Sequence, residues 1–595
     1  MTAEQCPSYR AADALKQLAL SAALFVIGVS CSVESRPAAE AGTEDDAAVV
    51  LTDVTAEAGL GAFRHENGAV GDRLYPEMMG SGGGFIDYDG DGWLDVILLG
   101  GGTFEAEPEE KPRAIWLYRN EGDGTFSDQT EAAGLGAVQS YTIGMAAADY
   151  DNDGDEDFVV ANLGEDMLFR NDDGVFTEIG REAGLVALAE WGSSPLFFDA
   201  DRDGHLDLFI GNYVRWSADT DKWCPEGSPV KMYCIPSDYD GIASRFYRNN
   251  GDGTFTERTQ EAGFITGSRE VKEKALGIVE FDFNDDGWPD LYVATDGEGN
   301  LLYENNRNGT FTERGVLSGV AFSEHGEARA GMGVDAGVVD SSGLVSIFVG
   351  NFSEEPISVY RHLGGGLFAD RTAASQISQP SFLTLTFGLF LLDLDLDGDL
   401  DLFAANGHVY PDRLGDQDKI TFEQPAQLYL NRGDGTFVEI GNGSGVFSHQ
   451  MVARGAAYAD YDRDGDLDIL ITENAGPAHL WRNDTSGGHY LRVRLEGTES
   501  NRDAIGSRVV AEINGYRMEQ RIRTGSSYLS QSEKVAVFGM AQSQQLDSLI
   551  VWWPSGKVHR LADVDANQEL KIVEGHGTLE QVPMSGIHKR SVANR

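Results

Sequence analysis

Apolar and polar positions along this chain fall into a unit that recurs. A stretch dotted with small residues, such as YTIGMAAADY or MVARGAAYADY, leads into an acidic loop, and a β-rich apolar run follows it (LDVILLG, LDLFIGN, LDILITEN). An aromatic-rich segment then enters a Gly/Asp/Asn turn, as in LYRNEGDGTF (117–126), FYRNNGDGTF (246–255) and LYLNRGDGTF (428–437). A last short segment ends near AGL, as in SDQTEAAGL. Short runs bounded by turn residues predict strands, and four joined in this way predict one antiparallel blade. Small side chains in the first strand suit a position beside a crowded central axis.

Seven such units can be counted, six with acidic loops and one degenerate copy, VVDSSGLVS (338–346), that keeps Gly343 in register. The seventh unit runs only to HLWRND (479–484) and lacks its fourth strand. An orphan copy of that strand, LTDVTAEAGL (51–60), precedes the first unit. The N-terminal strand is therefore expected to complete the last blade, and closure removes the sheet edges that invite aggregation. The pattern predicts an all-β fold, a seven-bladed β-propeller over 49–484.

The acidic loops carry the chemistry. Counting from the first acid, positions 1, 3, 5 and 9 are Asp87, Asp89, Asp91 and Asp95 in the first loop and Asp149, Asp151, Asp153 and Asp157 in the second. The third has Asp199, Asp201, Asp203 and Asp207, and the fourth has Asp282, Asn284, Asp286 and Asp290. Asp393, Asp395, Asp397 and Asp401 follow in the sixth unit, then Asp460, Asp462, Asp464 and Asp468 in the seventh. Four carboxylates within nine residues repel one another, so a bound cation is the expected reason for holding them together. An EF-hand would need a bidentate Glu at position 12. That position is Leu98, Val160, Ile210, Val293, Ala404 or Ile471, none of which can ligate. Side-chain oxygens at 1, 3, 5 and 9 with a backbone carbonyl near 7 suit Ca²⁺, which accepts six to eight oxygens in flexible geometry. About six structural Ca²⁺ ions are expected, each joining the first strand of a blade to the second. The fifth loop offers only Asp340 among the acidic positions, and no metal is expected there.

Composition narrows the partners. The 595 residues carry a formal net charge of −52, which argues against nucleic acid and against docking on anionic lipid. Glycine, 73 residues, is in excess of the usual share, as many tight turns require. Arg10 and Lys16 precede an apolar run from Leu18 to Val29, which reads as an export signal over 1–31. Cys31 after it leaves three readings open: lipid attachment, ordinary cleavage, or an uncleaved anchor. Residues 32–48 read as a flexible tether. A periplasmic, cell-surface or extracellular location follows, with membrane association only through a lipid at Cys31. Cys224 and Cys234 in an exported protein are expected to form a disulfide pinning a local loop, the alternative being two free thiols.

The lead-in to the acidic loops and the coda NxGDGTFxxxTxxAGL resemble the FG-GAP/VCBS propeller repeats also found in integrin α-chains. The tail, through NRDAIGSRV, GSSYLSQSE, FGM, WPSGK and NQ within 501–575, resembles the ASPIC/UnbV module. Propeller plus this module is the arrangement of the cartilage acidic protein family and its bacterial relatives. The resemblance implies an extracytoplasmic, calcium-binding repeat protein and offers no established enzymatic reaction to carry over. Read from its residues alone, the tail is a small C-terminal β domain within 485–575, followed by a tail over 576–595. Its Arg-rich strands face an acidic propeller, which suggests charge-assisted docking.

Other motifs add little. RGD at 432–434 sits in the turn that reads EGD or NGD in other units, so repeat chemistry explains it. The aromatic insertion at 212–241, with Trp191 before it, is read either as an irregular loop with its own small core or as a stacking surface. His65 with Glu66 and Glu77, and His408, are candidates for a polar site on one propeller face. No nucleophile elbow, P-loop or H-E-x-x-H stretch is present. Two functions remain: a non-catalytic binding or scaffold module for protein or glycan, and a calcium-dependent polysaccharide-active enzyme with its site on one propeller face.

Overall fold

The computed structural model describes residues 49–104, 112–225, 230–265, 273–411, 419–441, 445–577, 579–582 and 584. The expected export signal with Cys31, the tether 32–48 and most of the tail after 575 lie outside the described residues.

Seven four-stranded antiparallel blades follow one another along the chain, the second and third joined into one eight-stranded sheet where Glu190 and Trp191 pair with Gly164 and Leu163. Their first strands are Gly83–Ile86, Thr142–Ala148, Glu190–Phe198, Ala275–Phe281, Val334–Val338, Thr386–Leu392 and Ala453–Ala459. Each of these touches the next, and Ala453–Ala459 touches Gly83–Ile86, so the seven first strands form a closed ring around an axis. In the seventh blade Leu51–Asp53 is the outer strand, pairing Leu51 with Asn483 and Asp53 with Trp481. The orphan strand closes the propeller as expected.

Burial explains the patterning. The second strands are sandwiched by neighbouring blades on both faces, so Val96 to Leu99 and Leu208 to Ile210 are inaccessible and read as unbroken apolar runs. The core is accordingly a set of layers between consecutive blades. Phe85, Leu98 and Tyr118 of the first blade pack on Leu470 and Leu480 of the seventh, for example.

The C-terminal domain has two four-stranded sheets. One contains Tyr490–Glu496 paired in parallel with Gln568–Val573, and the sheet continues to Leu579–Val582. The other contains Arg508–Ile513 between Tyr516–Arg521 and Gln545–Trp552. Between Tyr516–Arg521 and Ala536–Gly539 the chain leaves the domain and enters the propeller's central channel. This plug, around GSSYLSQSE, bonds to the first strand of all seven blades. Phe85 N–H donates to Gln531 O, Met145 N–H to Leu529 O, and Ser526 N–H to Ile278 O. Phe197 N–H donates to Thr524 Oγ1, and Leu389 N–H to Ser527 Oγ. Ser527 and Val334 exchange backbone bonds, and Glu533 N–H donates to Tyr458 O.

The small residues at the axis make room for this plug and for the neighbouring first strand: a Cβ on Gly144 would lie 2.3 Å from Ser193 O and one on Gly277 2.1 Å from Met332 O. A Cβ on Gly82 would lie 1.8 Å from Leu529 O, and one on Gly84 2.5 Å from Gln531 O. Any side chain there would expel the segment.

Candidate metal centres

Each acidic loop joins the first strand of a blade to the second, so all six lie on one face of the ring. Their local geometry repeats. Position 4 takes a left-handed backbone, with Asn152, Arg202, Asp285, Leu396 and Arg463 at φ between 55° and 62°. Gly at position 6 is left-handed too, which lets the chain double back over the first acid. Asp149 then accepts N–H bonds from Asp153 and Gly154, Asp199 from Asp203 and Gly204, and Asp282 from Asp286 and Gly287. Asp460 does the same with Asp464 and Gly465, and Asp87 and Asp393 accept from Gly92 and Gly398.

The acid at position 9 is the most fixed. Asp95, Asp157, Asp207, Asp290, Asp401 and Asp468 are all buried, and each accepts the N–H of position 2 at 3.0–3.3 Å. Each also accepts, at 2.7–2.9 Å, the N–H of an asparagine that ends the third strand. In the first three loops three acids bring oxygens within 4.8 Å of one another: Asp87, Asp89 and Asp95; Asp149, Asp151 and Asp157; Asp199, Asp201 and Asp203.

These donor sets fit a hard divalent cation. Asp87 Oδ1, Asp201 Oδ1, Asp393 Oδ1 and both oxygens of Asp462 are buried and accept no hydrogen bond. Burial lifts Asp87 to about 7, with Glu156 beside it adding to the rise, and lifts Asp95 to about 8 and Asp157 to about 9. Burial drives Asp207, Asp290, Asp401, Asp460 and Asp468 well above the carboxylate range. A cation among clustered carboxylates that pay this much for charge would keep them ionised. Asp466, at position 7 of the seventh loop, is also buried with Oδ1 unbonded and extends that donor set beyond the expected four.

Arginine is the alternative countercharge. Arg119 reaches Asp89 at 2.5 Å and Asp91 at 2.6 Å, and Arg248 reaches Asp201 and Asp203 at 2.7 and 2.9 Å. In the fifth blade Arg361, at the same place on the third strand, pairs with the lone Asp340. There the positive charge comes from the chain itself.

Sequence reasoning missed the asparagines. Asn120, Asn171, Asn249, Asn305, Asn431 and Asn483 each donate Nδ2 at 2.8–2.9 Å to the position-2 carbonyl of the preceding blade's loop. All but Asn483 also hold the position-8 carbonyl of their own loop. The signal was the repeated Asn before each turn, replaced by His362 in the degenerate unit. Each asparagine ties the loop of its own blade to that of the preceding blade.

The C-terminal domain lies over this face. Arg492 contacts Asp460 at 3.3 Å, Arg502 contacts Asp149 at 3.7 Å, and Arg521 contacts Asp282 at 3.9 Å. Lys534 bridges Glu156 and Asp503, and Arg523 pairs with Asp335. Charge-assisted docking is thus seen residue by residue.

The opposite face carries the remaining candidates. His65 and His408 do not converge with Glu66 and Glu77 on a polar site. His65 Nδ1 accepts from Ala475 N–H, His408 bonds Ser353 Oγ and Tyr410 N–H, and Glu77 holds Leu74 N–H and Tyr233 OH. Cys224 and Cys234 are disulfide-bonded. The insertion they pin packs Trp216 and Tyr239 with Trp191, Tyr75 and Tyr213, so its aromatics form a small core. That core also walls a cavity of about 400 Å³ at the channel mouth. The RGD turn lies instead on the acidic-loop face, between third and fourth strands, and holds Thr436 through Asp434, as Asp123 holds Thr125 and Asp252 holds Thr254.

Comparison with known proteins agrees with this architecture. FG-GAP-like repeat models match residues 87–160, 149–210, 282–337 and 393–471, and the ASPIC and UnbV model matches 497–579. Cartilage acidic protein 1 of Xenopus tropicalis is 24% identical over 534 residues, covering 84% of this chain and 74% of that protein. The human protein of that name is 26% identical over 467 residues, covering 73% of this chain. This chain spans 63% of the human protein's length. Among solved structures, a lectin of Agrocybe aegerita that recognises terminal N-acetylglucosamine is 17% identical and covers 67% of this chain and 87% of its own, with a TM-score of 0.37. BBS1N in complex with ARL6DN is 11% identical, covering 73% of this chain and 96% of its own, with a TM-score of 0.36.

Proposed function

For a chain made of FG-GAP-like repeats and a C-terminal ASPIC/UnbV domain, homologous to cartilage acidic protein 1, we propose the role of an exported, calcium-stabilised binding module without catalytic activity. Ca²⁺ would be held in six loops by the side-chain oxygens at positions 1, 3, 5 and 9, supplying the positive charge those loops need. The observation that carries this is the contrast between loops. Four of them, the first, third, sixth and seventh, bury carboxylate oxygens beyond what their hydrogen bonds satisfy, whereas the fifth matches its one acid to Arg361.

The binding role rests on which face stays open. The C-terminal domain covers the metal-loop face and its plug fills the channel, so a partner protein or glycan meets the opposite face. There the pinned insertion and the loops between second and third strands gather. Melting the protein in calcium and in excess chelator tests the metal part, because binding free energy at a site absent from the unfolded chain is folding free energy. A midpoint lowered by many degrees on chelation is expected; equal midpoints overturn it.

A further inference from the structure

We propose that the cavity at the open mouth of the propeller binds a small organic cation, an ammonium group on a compact apolar body. This deepens the binding-module reading and rests on it only for the choice of face. The cavity, about 400 Å³, is within the usual size of small-molecule sites. It forms where the chain enters first strands and leaves second strands, at the end of the blades opposite the acidic loops.

Its walls are aromatic and thioether: Tyr75, Phe352, Phe387 and Tyr410, with Met79 and Met332. Three carboxylates line it, Asp296, Glu298 and Glu355, against the single ammonium of Lys274, whose Nζ lies 3.3 Å from Glu298. The charge left on the lining is therefore negative. Aromatic faces with nearby carboxylates favour an alkylated ammonium, whose charge is attracted by the rings while its methyl groups take the apolar surface. A sugar would instead need several convergent hydrogen-bonding groups. Here the hydroxyls of Tyr75 and Tyr213 are already spent: they share a bond of 2.7 Å, and Tyr213 donates to Asp296 at 2.5 Å. Those bonds hold the rings in place.

The C-terminal domain braces two of the lining residues, Met79 and Phe387, from behind. Tyr528, in the plug, donates to Met79 O at 3.1 Å and packs its ring 4.9 Å from Phe387.

Calorimetric titration of the full calcium-loaded chain with choline, its neutral isostere 3,3-dimethylbutan-1-ol, and a panel of methyl glycosides tests this. Choline is expected to bind saturably and the isostere at least about tenfold more weakly. Asp296→Asn and Phe352→Ala should each weaken choline binding about tenfold or more, while calcium content and melting midpoint stay near wild type. Glu355→Gln provides a second carboxylate should Asp296→Asn disturb folding. Equal binding of choline and isostere, binding of a glycoside but not choline, or no binding by protein that melts normally would each overturn the proposal. A failed chelator melt, by contrast, would overturn the metal reading alone.

Discussion

Removal of one inter-blade asparagine should cost far more than its size suggests. Asn305 is buried, with Nδ2 donating to Ala200 O at 2.8 Å and Pro289 O at 3.1 Å, and Oδ1 accepting Arg307 N–H at 2.9 Å. Asn305→Ala leaves two carbonyls without a donor at the seam between the third and fourth blades. An unsatisfied buried polar group costs about 1–3 kcal/mol, and the Arg307 N–H, nearer solvent, costs less. The expected loss is roughly 3–4 kcal/mol. Asn308→Ala removes only two exposed turn bonds, from Thr310 N–H and Oγ1, and should cost under about 1 kcal/mol. Urea unfolding at saturating calcium, followed by tryptophan fluorescence, compares the two at equal slope. If Asn305→Ala unfolds within about 0.5 kcal/mol of wild type, the asparagines do not lock the loops and the reasoning fails.

Further outcomes follow from the charges. At the ring closure His479 bonds Glu473 at 2.8 Å and lies 3.9 Å from Asp53 of the closing strand. Burial alone would lower its pKa, but the Asp53 and Glu473 carboxylates beside it outweigh burial and raise the imidazolium to about 9. The stability it contributes, roughly 2–3 kcal/mol, is present below about pH 6.5 and is lost as pH rises toward 9; His479→Gln should flatten that part of a pH-stability curve. Arg492→Ala strands Glu533, Glu569 and Asp460 around a buried site, and should cost about 3–5 kcal/mol and loosen the C-terminal domain, seen as faster hydrogen exchange in 523–534. Asp340→Ala should leave the calcium content unchanged, whereas Asp286→Ala should lower it by one ion per chain, as read by elemental analysis.

The blades were legible because each repeats the same strand and turn pattern, and seven copies average out local ambiguity. Ring closure was legible from two matching defects, a unit lacking its last strand and an orphan strand before the first. The disulfide followed from spacing and an expected export signal. What escaped the sequence depends on backbone or on distant loops. The plug, GSSYLSQSE, is polar and aperiodic, and its bonds run to main-chain groups of seven strands that carry no letter of their own. The recurring asparagine was visible, but its partner is the carbonyl of whichever residue fills position 2 of the preceding blade, Tyr, Ala, Val or Leu. The cavity gathers Tyr75, Asp296, Phe352 and Tyr410, more than three hundred residues apart at the extremes, so only the closed ring brings them together. His65 and His408 illustrate the reverse case: residues of functional type spent on holding loops.

The central claim is that metal loops hold the ring in shape, and the number of calcium ions bound per chain tests it most directly. Equilibrium dialysis of chelator-stripped, refilled protein should plateau near six, one for each loop with acids at positions 1, 3, 5 and 9 and none for the loop neutralised by Arg361. A plateau near zero at millimolar calcium would contradict it.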